Sequence, residues 1–269
     1  MRCIFCRTDS STSKSREHII PESLGNTSLV LPPGVVCDKC NNYFSREVEK
    51  PFLESDAVRA LRFHQGLESK KGRVPSVTGL ITPDVPVIVT RIPKYDFTSI
   101  KVPTEAFERL MQSKNVQLIF SAGPEPDIRV VSRFMAKVAL EAMAKRIFEH
   151  DGGQDYLCDE RQLDDLRDHA RRGRISRWPI HARRIYNAHA KTALPGAAPV
   201  QMIHESDFLV TSWGEWFFVL AIFGLELTIN LGGPEIQGYE RWLRENNEAS
   251  PLYHDKPSIY PKPTSLDQD

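Results

Sequence analysis

The amino-acid sequence predicts an α+β protein that consists of a small cysteine-rich N-terminal segment and a larger domain with a long helix and an antiparallel sheet. Four of the five cysteines stand in two C-x-x-C pairs, which begin at Cys3 and Cys37. Residues 127–150 carry apolar side chains at helical spacing. Residues 183–231 are rich in β-branched and aromatic residues that alternate with turn signals.

The composition is that of a globular protein with a core. Of the 269 residues, 41% are hydrophobic and 26% are charged, which is ordinary for a soluble domain. Lys and Arg together number 35, as do Asp and Glu, so any basic surface must be local. The longest apolar segment, residues 216–227, is interrupted by Gly224 and Glu226 and is too short to span a bilayer. The first residues contain no apolar signal core, and we expect a cytoplasmic protein.

Local patterns divide the chain into segments. A helix is predicted over 41–55, after the second cysteine pair, and Pro51 either ends or restarts it. A second helix follows, with Ser55 or Asp56 as its N-cap. The predicted segments are an N-terminal module (1–55), a helical connector (56–80), an α+β domain of unknown role (81–250) and a flexible, proline-rich tail (251–269).

The larger domain is predicted to combine helices with strands. A strand over 85–92 precedes the long helix 127–150, whose apolar stripe comprises Val130, Phe134, Val138, Ala142 and Ile147. A further helix is predicted to end at Gly173. The following β-rich segments predict an antiparallel meander, whose buried centre includes the apolar run within 216–223; they are 183–190, 199–212, 215–224 and 225–231.

The two cysteine pairs have the spacing of zinc knuckles. Cys3, Cys6, Cys37 and Cys40 could together form a tetrahedral all-cysteine site, and four protein ligands leave no open position, so the zinc is expected to be structural. Its binding energy would count as folding energy. The alternative is two unrelated redox pairs. Cys158 stands alone and is expected to be a small core residue.

The segment between the cysteine pairs contains an adjacent acid and imidazole, Glu17 and His18. A histidine with a near-neutral pKa can take a proton from water, and a carboxylate oxygen can bind a hard cation such as Mg²⁺. Adjacent side chains of a strand point to opposite faces. Glu17 and His18 are therefore expected to face different partners unless the strand is bent.

Together, the two cysteine pairs, the Arg-Glu-His-Ile-Ile-Pro sequence from Arg16 and the Cys-Asn-Asn sequence from Cys40 resemble the zinc-stapled subgroup of HNH endonucleases. The resemblance covers residues 1–55. It implies a ββα-metal fold, in which two strands and a helix surround one catalytic cation. It also implies hydrolysis of phosphodiester bonds in nucleic acid, most often DNA, to products with 5′-phosphate and 3′-hydroxyl ends.

The resemblance implies a role for each matching residue. His18 would be the general base that activates water, and Glu17 and Asn41 would hold the catalytic cation, Mg²⁺ or Mn²⁺. The family's middle asparagine, which braces the loop bearing the base, is missing from its usual place. Asn26 is the nearest candidate, but it lies early in the segment, and it is not predicted to be catalytic. Many relatives act in phage defence, which is an analogy only.

Other interpretations of these residues stay open. Asn41 could be only a helix N-cap, and Asn42 is a rival ligand. Arg46 and Glu49 are expected to be solvated helix charges. The protein could also be a non-catalytic zinc module that binds nucleic acid or a protein, or a thiol redox protein. A protein partner or a homodimer, formed through the domain 81–250, is a further possibility.

A basic segment, residues 169–184, contains six arginines and no acids. Arginine suits phosphate because its planar fork donates two bonds at once, and Trp178 could stack on a base or a sugar. An acidic helix precedes the segment, so ion pairing within the chain is an equal alternative. The predicted nucleic-acid contacts are Arg171, Arg172, Arg174 and Arg177.

Overall fold

The structure is a computed structural model that describes residues 1–95, 97–113, 115–120, 126–175, 177–193 and 198–256. Its strands are β1 (Glu17–His18), β2 (Val30–Leu31), β3 (Val77–Ile81), β4 (Val85–Ile92), β5 (Phe97–Lys101), β6 (Leu118–Phe120), β7 (His181–Arg184), β8 (Lys191–Thr192), β9 (Val200–Gln201), β10 (His204–Val210), β11 (Trp216–Ile222) and β12 (Leu225–Asn230). Its helices are α1 (Asp38–Phe44), α2 (Lys50–Glu54), α3 (Asp56–His64), α4 (Thr104–Met111), α5 (Ile128–Ile147), α6 (Gly153–Asp159), α7 (Asp164–Arg172) and α8 (Gln237–Glu245). No helix in these ranges is both long enough and apolar enough to cross a membrane.

The chain forms two compact units. Unit 1 comprises Met1–Ile19, Leu29–Val48 and Asp127–Asp269, and unit 2 comprises Ile20–Ser28 and Glu49–Pro126. The boundaries of these units differ from those of the predicted segments, because residues distant in sequence pack together in unit 1. The division of the chain by role into 1–55, 56–80, 81–250 and 251–269 stays a prediction.

The N-terminal part of unit 1 has the order strand, strand, helix. Strands β1 and β2 pair antiparallel, with Glu17 opposite Leu31 and His18 opposite Val30. Helix α1 follows, and a π-helical turn, Ser45–Glu49, continues it. The helix begins at Asp38 rather than at residue 41, because Cys37 is its N-cap and accepts the backbone N–H of Cys40.

The rest of unit 1 consists of α5 and an antiparallel sheet with strand order β10-β11-β12-β7. Helix α5 confirms the predicted long helix, but it is buried over most of its circumference rather than along one stripe. It packs against β12, α6 and α7. Helix α8 covers one face of the sheet, where Tyr239 and Leu243 meet Phe217, Val219 and Ala221. The apolar run within β11 is therefore core, as predicted.

Unit 2 is built on a sheet with strand order β5-β4-β3-β6. Strand β3 and the first five residues of β4 alternate between buried and exposed residues, which is the pattern of a sheet with one covered face. Strand β4 has the predicted bounds. Its buried side, Val85, Val87 and Val89, packs with Phe63 of α3 and Ala106 of α4.

The predicted tail begins in packed structure. Leu252 is buried with the sheet, and the Tyr253 hydroxyl donates to Glu205, with oxygen–oxygen distances of 2.6 Å. Residues 257–269 lie outside the described residues, so the flexibility of the tail stays a prediction.

Candidate metal centre and active site

The four cysteines of the two knuckles come together. The sulfur atoms of Cys3, Cys6, Cys37 and Cys40 all lie within 4.8 Å of one another. A zinc ion with four Zn–S bonds of about 2.3 Å places its sulfurs about 3.8 Å apart. Cys6 Sγ and Cys37 Sγ are 3.6 Å apart, so the cluster fits a tetrahedral zinc site with little adjustment. Among the described residues, this is the one group of three or more Cys, His, Asp or Glu placed to share an ion.

The surroundings of the cluster favour thiolate at Cys3. Its pKa is lowered to about 5, chiefly because the Cys40 thiol donates to it and also because backbone N–H groups do, including that of Cys37. Burial raises the pKa of the Cys37 thiol instead. The hydrogen-bond donors around Cys3 therefore suit a thiolate, the form in which cysteine binds a metal.

Hydrogen bonds and ion pairs connect the residues around the first knuckle to α6 and α7. The Arg167 guanidinium is buried and donates to the carbonyl of Ile4 at 3.0 Å, and Arg7 donates to the carbonyl of Cys158 at 2.6 Å. Arg2 forms ion pairs with Asp155 and Asp159. The Cys158 side chain is fully buried, as predicted for a core residue. The residues around the first cysteine pair therefore pack into the rest of unit 1 and do not form a self-contained module.

Helix α1 anchors the segment that enters β1. The Asp38 carboxylate accepts the Ser15 hydroxyl and the backbone N–H groups of Ser15 and Lys14, the last two at 2.9 and 3.1 Å. These bonds, above all the one from the Ser15 hydroxyl, lower the pKa of Asp38. The Asn41 side-chain amide donates to the carbonyl of Arg16 at 3.3 Å. The residue before Glu17 is therefore hydrogen-bonded to the helix that contains Cys40 and is capped by Cys37.

Glu17 and His18 point to opposite faces of β1, as alternation in a strand requires. The Glu17 side chain is directed inward and is 6% exposed, whereas His18 is half-buried. The Glu17 carboxylate contacts Lys137 of α5, with Oε1 and Nζ 2.7 Å apart. Lys137 Nζ also donates to the carbonyl of His18 at 2.9 Å and lies 2.9 Å from Glu141 Oε2.

Comparison with known proteins identifies this region. Residues 3–56 match the family model described as HNH endonuclease. The N-terminal segment is an HNH module. No curated protein matches the chain. No solved structure matches it either. The part of the chain after residue 56 lies outside the family match.

The HNH module has oxygen ligands for a second, hard cation, but one of them is partly occupied by another contact. Asn41 retains its amide oxygen as a ligand atom, because the hydrogen bond to Arg16 uses the amide nitrogen. The Glu17 carboxylate is of the right chemistry, but one of its oxygens already contacts Lys137. Asn41 is not the helix N-cap, since Cys37 occupies that position. The assignment of Glu17, His18 and Asn41 to catalysis stays a prediction.

Asn26 lies in the loop that joins the two strands of the HNH module. Its side chain is fully buried, donates to the carbonyl of Ile20 at 2.6 Å and accepts the N–H of Ser28 at 3.1 Å. It closes the 20–28 loop on itself. The Asn26 side chain therefore stabilises the loop by local hydrogen bonds. This agrees with the prediction that Asn26 is not a catalytic residue.

The basic segment after α7 is partly used within the chain. Arg172 and Arg174 both form ion pairs with Asp168, at 3.3 and 3.5 Å. Trp178, for which stacking on a base or a sugar was one possibility, lies in the core instead. It is 1% exposed, and its ring N–H donates to the carbonyl of Asn230 at 3.1 Å, because the chain after α7 turns into the core. Nucleic-acid contact by Arg171, Arg172, Arg174 and Arg177 stays a prediction.

Sequence reasoning missed Lys137 and Glu141. Both are 0% exposed, in the middle of α5. The signal was present, since an oppositely charged pair at i and i+4 interrupts an otherwise apolar stretch of helix. Buried charges are rare unless they are paired, so such a pair indicates a partner elsewhere. The sequence does not indicate that this partner is Glu17, 120 residues earlier.

Proposed function

We propose that the protein is a metal-dependent endonuclease that hydrolyses phosphodiester bonds of nucleic acid, with DNA as the expected substrate. The observation that carries the proposal is the match of residues 3–56 to HNH endonucleases together with four clustered cysteines. The setting would be cytoplasmic. The zinc site is structural in this proposal, and the chemistry belongs to β1 and α1.

His18 is proposed as the general base. It is half-buried on the face of β1 opposite Glu17 and its Nδ1 is buried, so the proposal requires that the attacking water reach Nε2. Its backbone carbonyl accepts a hydrogen bond from Lys137, and its strand is paired with β2, so the backbone that carries the imidazole is fixed. A positioned base that takes the proton from an attacking water contributes about 10²- to 10⁴-fold to the rate.

Glu17 and Asn41 are proposed to hold Mg²⁺ or Mn²⁺. When bound, such a cation stabilises the charge that develops on the phosphate and on the leaving 3′ oxygen. The role of the chain itself is to present one carboxylate and one amide oxygen from neighbouring elements. The hydrogen bond from Asn41 to Arg16 keeps these two elements together.

Arginines of the basic segment are proposed to contact the nucleic-acid backbone. Arg172 and Arg174 are 46% and 65% exposed despite their ion pairs with Asp168. Exposed pairs of this kind contribute little stability, so a phosphate can replace Asp168 as the partner. Loss of these contacts should weaken binding and reduce its dependence on salt.

One observation favours a second candidate, a non-catalytic zinc module that binds nucleic acid or a protein. The carboxylate of Glu17 is buried against the ammonium of Lys137, which already supplies a positive charge at that position. A chain that has replaced its catalytic cation in this way would bind nucleic acid without cutting it.

Cleavage of plasmid DNA by the zinc-loaded protein separates the two candidates. We expect cleavage with Mg²⁺ or Mn²⁺ and none with a chelator of these ions. His18→Ala should lower the cleavage rate about 10²- to 10⁴-fold, with zinc content and DNA binding unchanged. The matched control is His150→Ala, which removes an exposed histidine three residues after the end of α5. Binding without cleavage in either metal would establish the non-catalytic candidate.

A further inference from the structure

A buried ion network joins the HNH module to α5, which lies outside the family match. Lys137 Nζ lies 2.7 Å from Glu17 Oε1 and 2.9 Å from Glu141 Oε2, and it donates to the carbonyl of His18 at 2.9 Å. A lysine ammonium has three N–H donors. Lys137 Nζ also lies 3.4 Å from the carbonyl of Ile19, so its three donors are shared among four oxygens, those of two carboxylates and two carbonyls.

The network holds two particular groups. One is the side chain of Glu17, and the other is the backbone of His18. Lys137 and Glu141 are one turn apart on a helix, so Glu141 fixes the ammonium from the side of α5. Lys137 can then adopt few rotamers. Its fixed ammonium group in turn constrains the Glu17 carboxylate and the His18 carbonyl.

Packing alone does not require charges here. Removing ions from water is costly, and apolar side chains of similar volume often stabilise a core as well or better. An ionic network at such a position is instead suited to orienting the groups that it contacts, because each charge-assisted hydrogen bond constrains an angle as well as a distance.

We propose that Lys137 and Glu141 are positioning residues of the nuclease, which orient the Glu17 carboxylate and the strand that carries His18. Helix α5 thereby completes an active site whose other residues lie in the HNH module. This inference rests on the proposed nuclease function. Partners that orient a metal ligand typically change metal affinity or activity about 10- to 100-fold when they are removed.

Two single variants test the proposal in the full, zinc-loaded chain. Lys137→Met removes the charge at similar length, and Glu141→Gln removes a charge with almost no change of shape. The matched control is Lys145→Met, which alters an exposed lysine on the same helix. Zinc content and circular dichroism establish that each variant is folded. If Lys137→Met does not fold, Glu141→Gln carries the test.

The first readout is backbone amide hydrogen exchange without Mg²⁺ or Mn²⁺. We expect faster exchange in β1 for both variants, and unchanged exchange around the cysteines and in Lys145→Met. The second readout is single-turnover cleavage, which we expect to fall about 10- to 100-fold at saturating DNA, with DNA affinity unchanged. The double variant Lys137→Met with Glu141→Leu should recover stability relative to Lys137→Met, but not cleavage.

Three results would overturn the proposal. Unchanged exchange in β1 would show that the network does not hold the strand. Recovery of cleavage together with stability in the double variant would show a role in packing alone. Faster cleavage or tighter Mn²⁺ binding in Lys137→Met would show that the lysine competes with the cation. If the wild-type protein does not cleave, the proposed function fails, and hydrogen exchange still decides whether Lys137 positions β1.

Discussion

At the scale of single residues, Asn26 shows how one side chain can shape a loop. The loop 20–28 needs partners for its backbone groups, because buried N–H and C=O groups without hydrogen bonds are costly. The Asn26 side chain bonds one backbone carbonyl, that of Ile20, and one backbone N–H, that of Ser28. The amide is suited to this task because it has both a donor and an acceptor.

We predict that Asn26→Ala lowers the free energy of unfolding by about 1–3 kcal/mol, because it leaves both backbone groups without their side-chain partner. The measurement is urea denaturation of the zinc-loaded protein. Thr27→Ala, in the same loop but at an exposed position, is the control and should stay within about 0.5 kcal/mol of the wild type. Equal stability of the two variants would contradict the bracing role.

At the scale of elements, α5 and α7 pack through a buried histidine. His169 of α7 is fully buried; its Nε2 lies 2.8 Å from the Ser132 hydroxyl of α5, and its ring packs against Trp178. Burial lowers the pKa of His169 to about 4, and the nearby charge of Arg133 acts in the same direction. The helix pair is therefore built around a neutral imidazole.

We predict that this histidine makes the protein less stable in mild acid. The unfolded chain binds a proton at His169 near pH 6.5 and the folded chain only near pH 4, so stability falls as the pH drops from 6.5 to 4. The loss is of the order of 2–3 kcal/mol across that window. Urea denaturation at several pH values should show a shallower pH dependence for His169→Gln. Parallel curves for variant and wild type would contradict the assignment.

At the scale of the whole molecule, the residues around the two cysteine pairs depend for their packing on parts of unit 1 that are distant in sequence. Arg167 and Gln154 donate to the carbonyls of Ile4 and Arg2, and Lys137 contacts β1. Ile4 and Phe5 are buried, and Phe5 packs against Phe44 of α1. Small segments usually need metals or further packing to fold, and here both contribute.

We predict that a chain ending at residue 56 does not reach the native fold even with zinc. It retains all four cysteines but loses the contacts from α5, α6 and α7. Two-dimensional NMR should show poor dispersion of its amide signals, and competition with a zinc chelator should show weaker zinc binding than in the full chain. A well-dispersed spectrum with full zinc affinity would show that the HNH module is autonomous.

Much of the fold was predictable because it depends on local patterns. Strand β4 has the predicted bounds, α5 matches the predicted long helix, and Gly173 ends α7 with a positive φ of 57°. The predicted strand 183–190 is shorter, His181–Arg184, and α1 begins three residues before the predicted start. Such boundaries are set by tertiary contacts and by capping, which spacing alone does not reveal.

Spacing along the chain was enough to predict the four-cysteine cluster, since two short knuckles bring their own ligands close together. It was also enough to predict that Glu17 and His18 face opposite ways. Which face of β1 turns inward, and that Lys137 and Glu141 meet it there, emerged only from the folded chain. Contacts between residues so far apart depend on how helices and strands pack, and a local pattern contains no information about that packing.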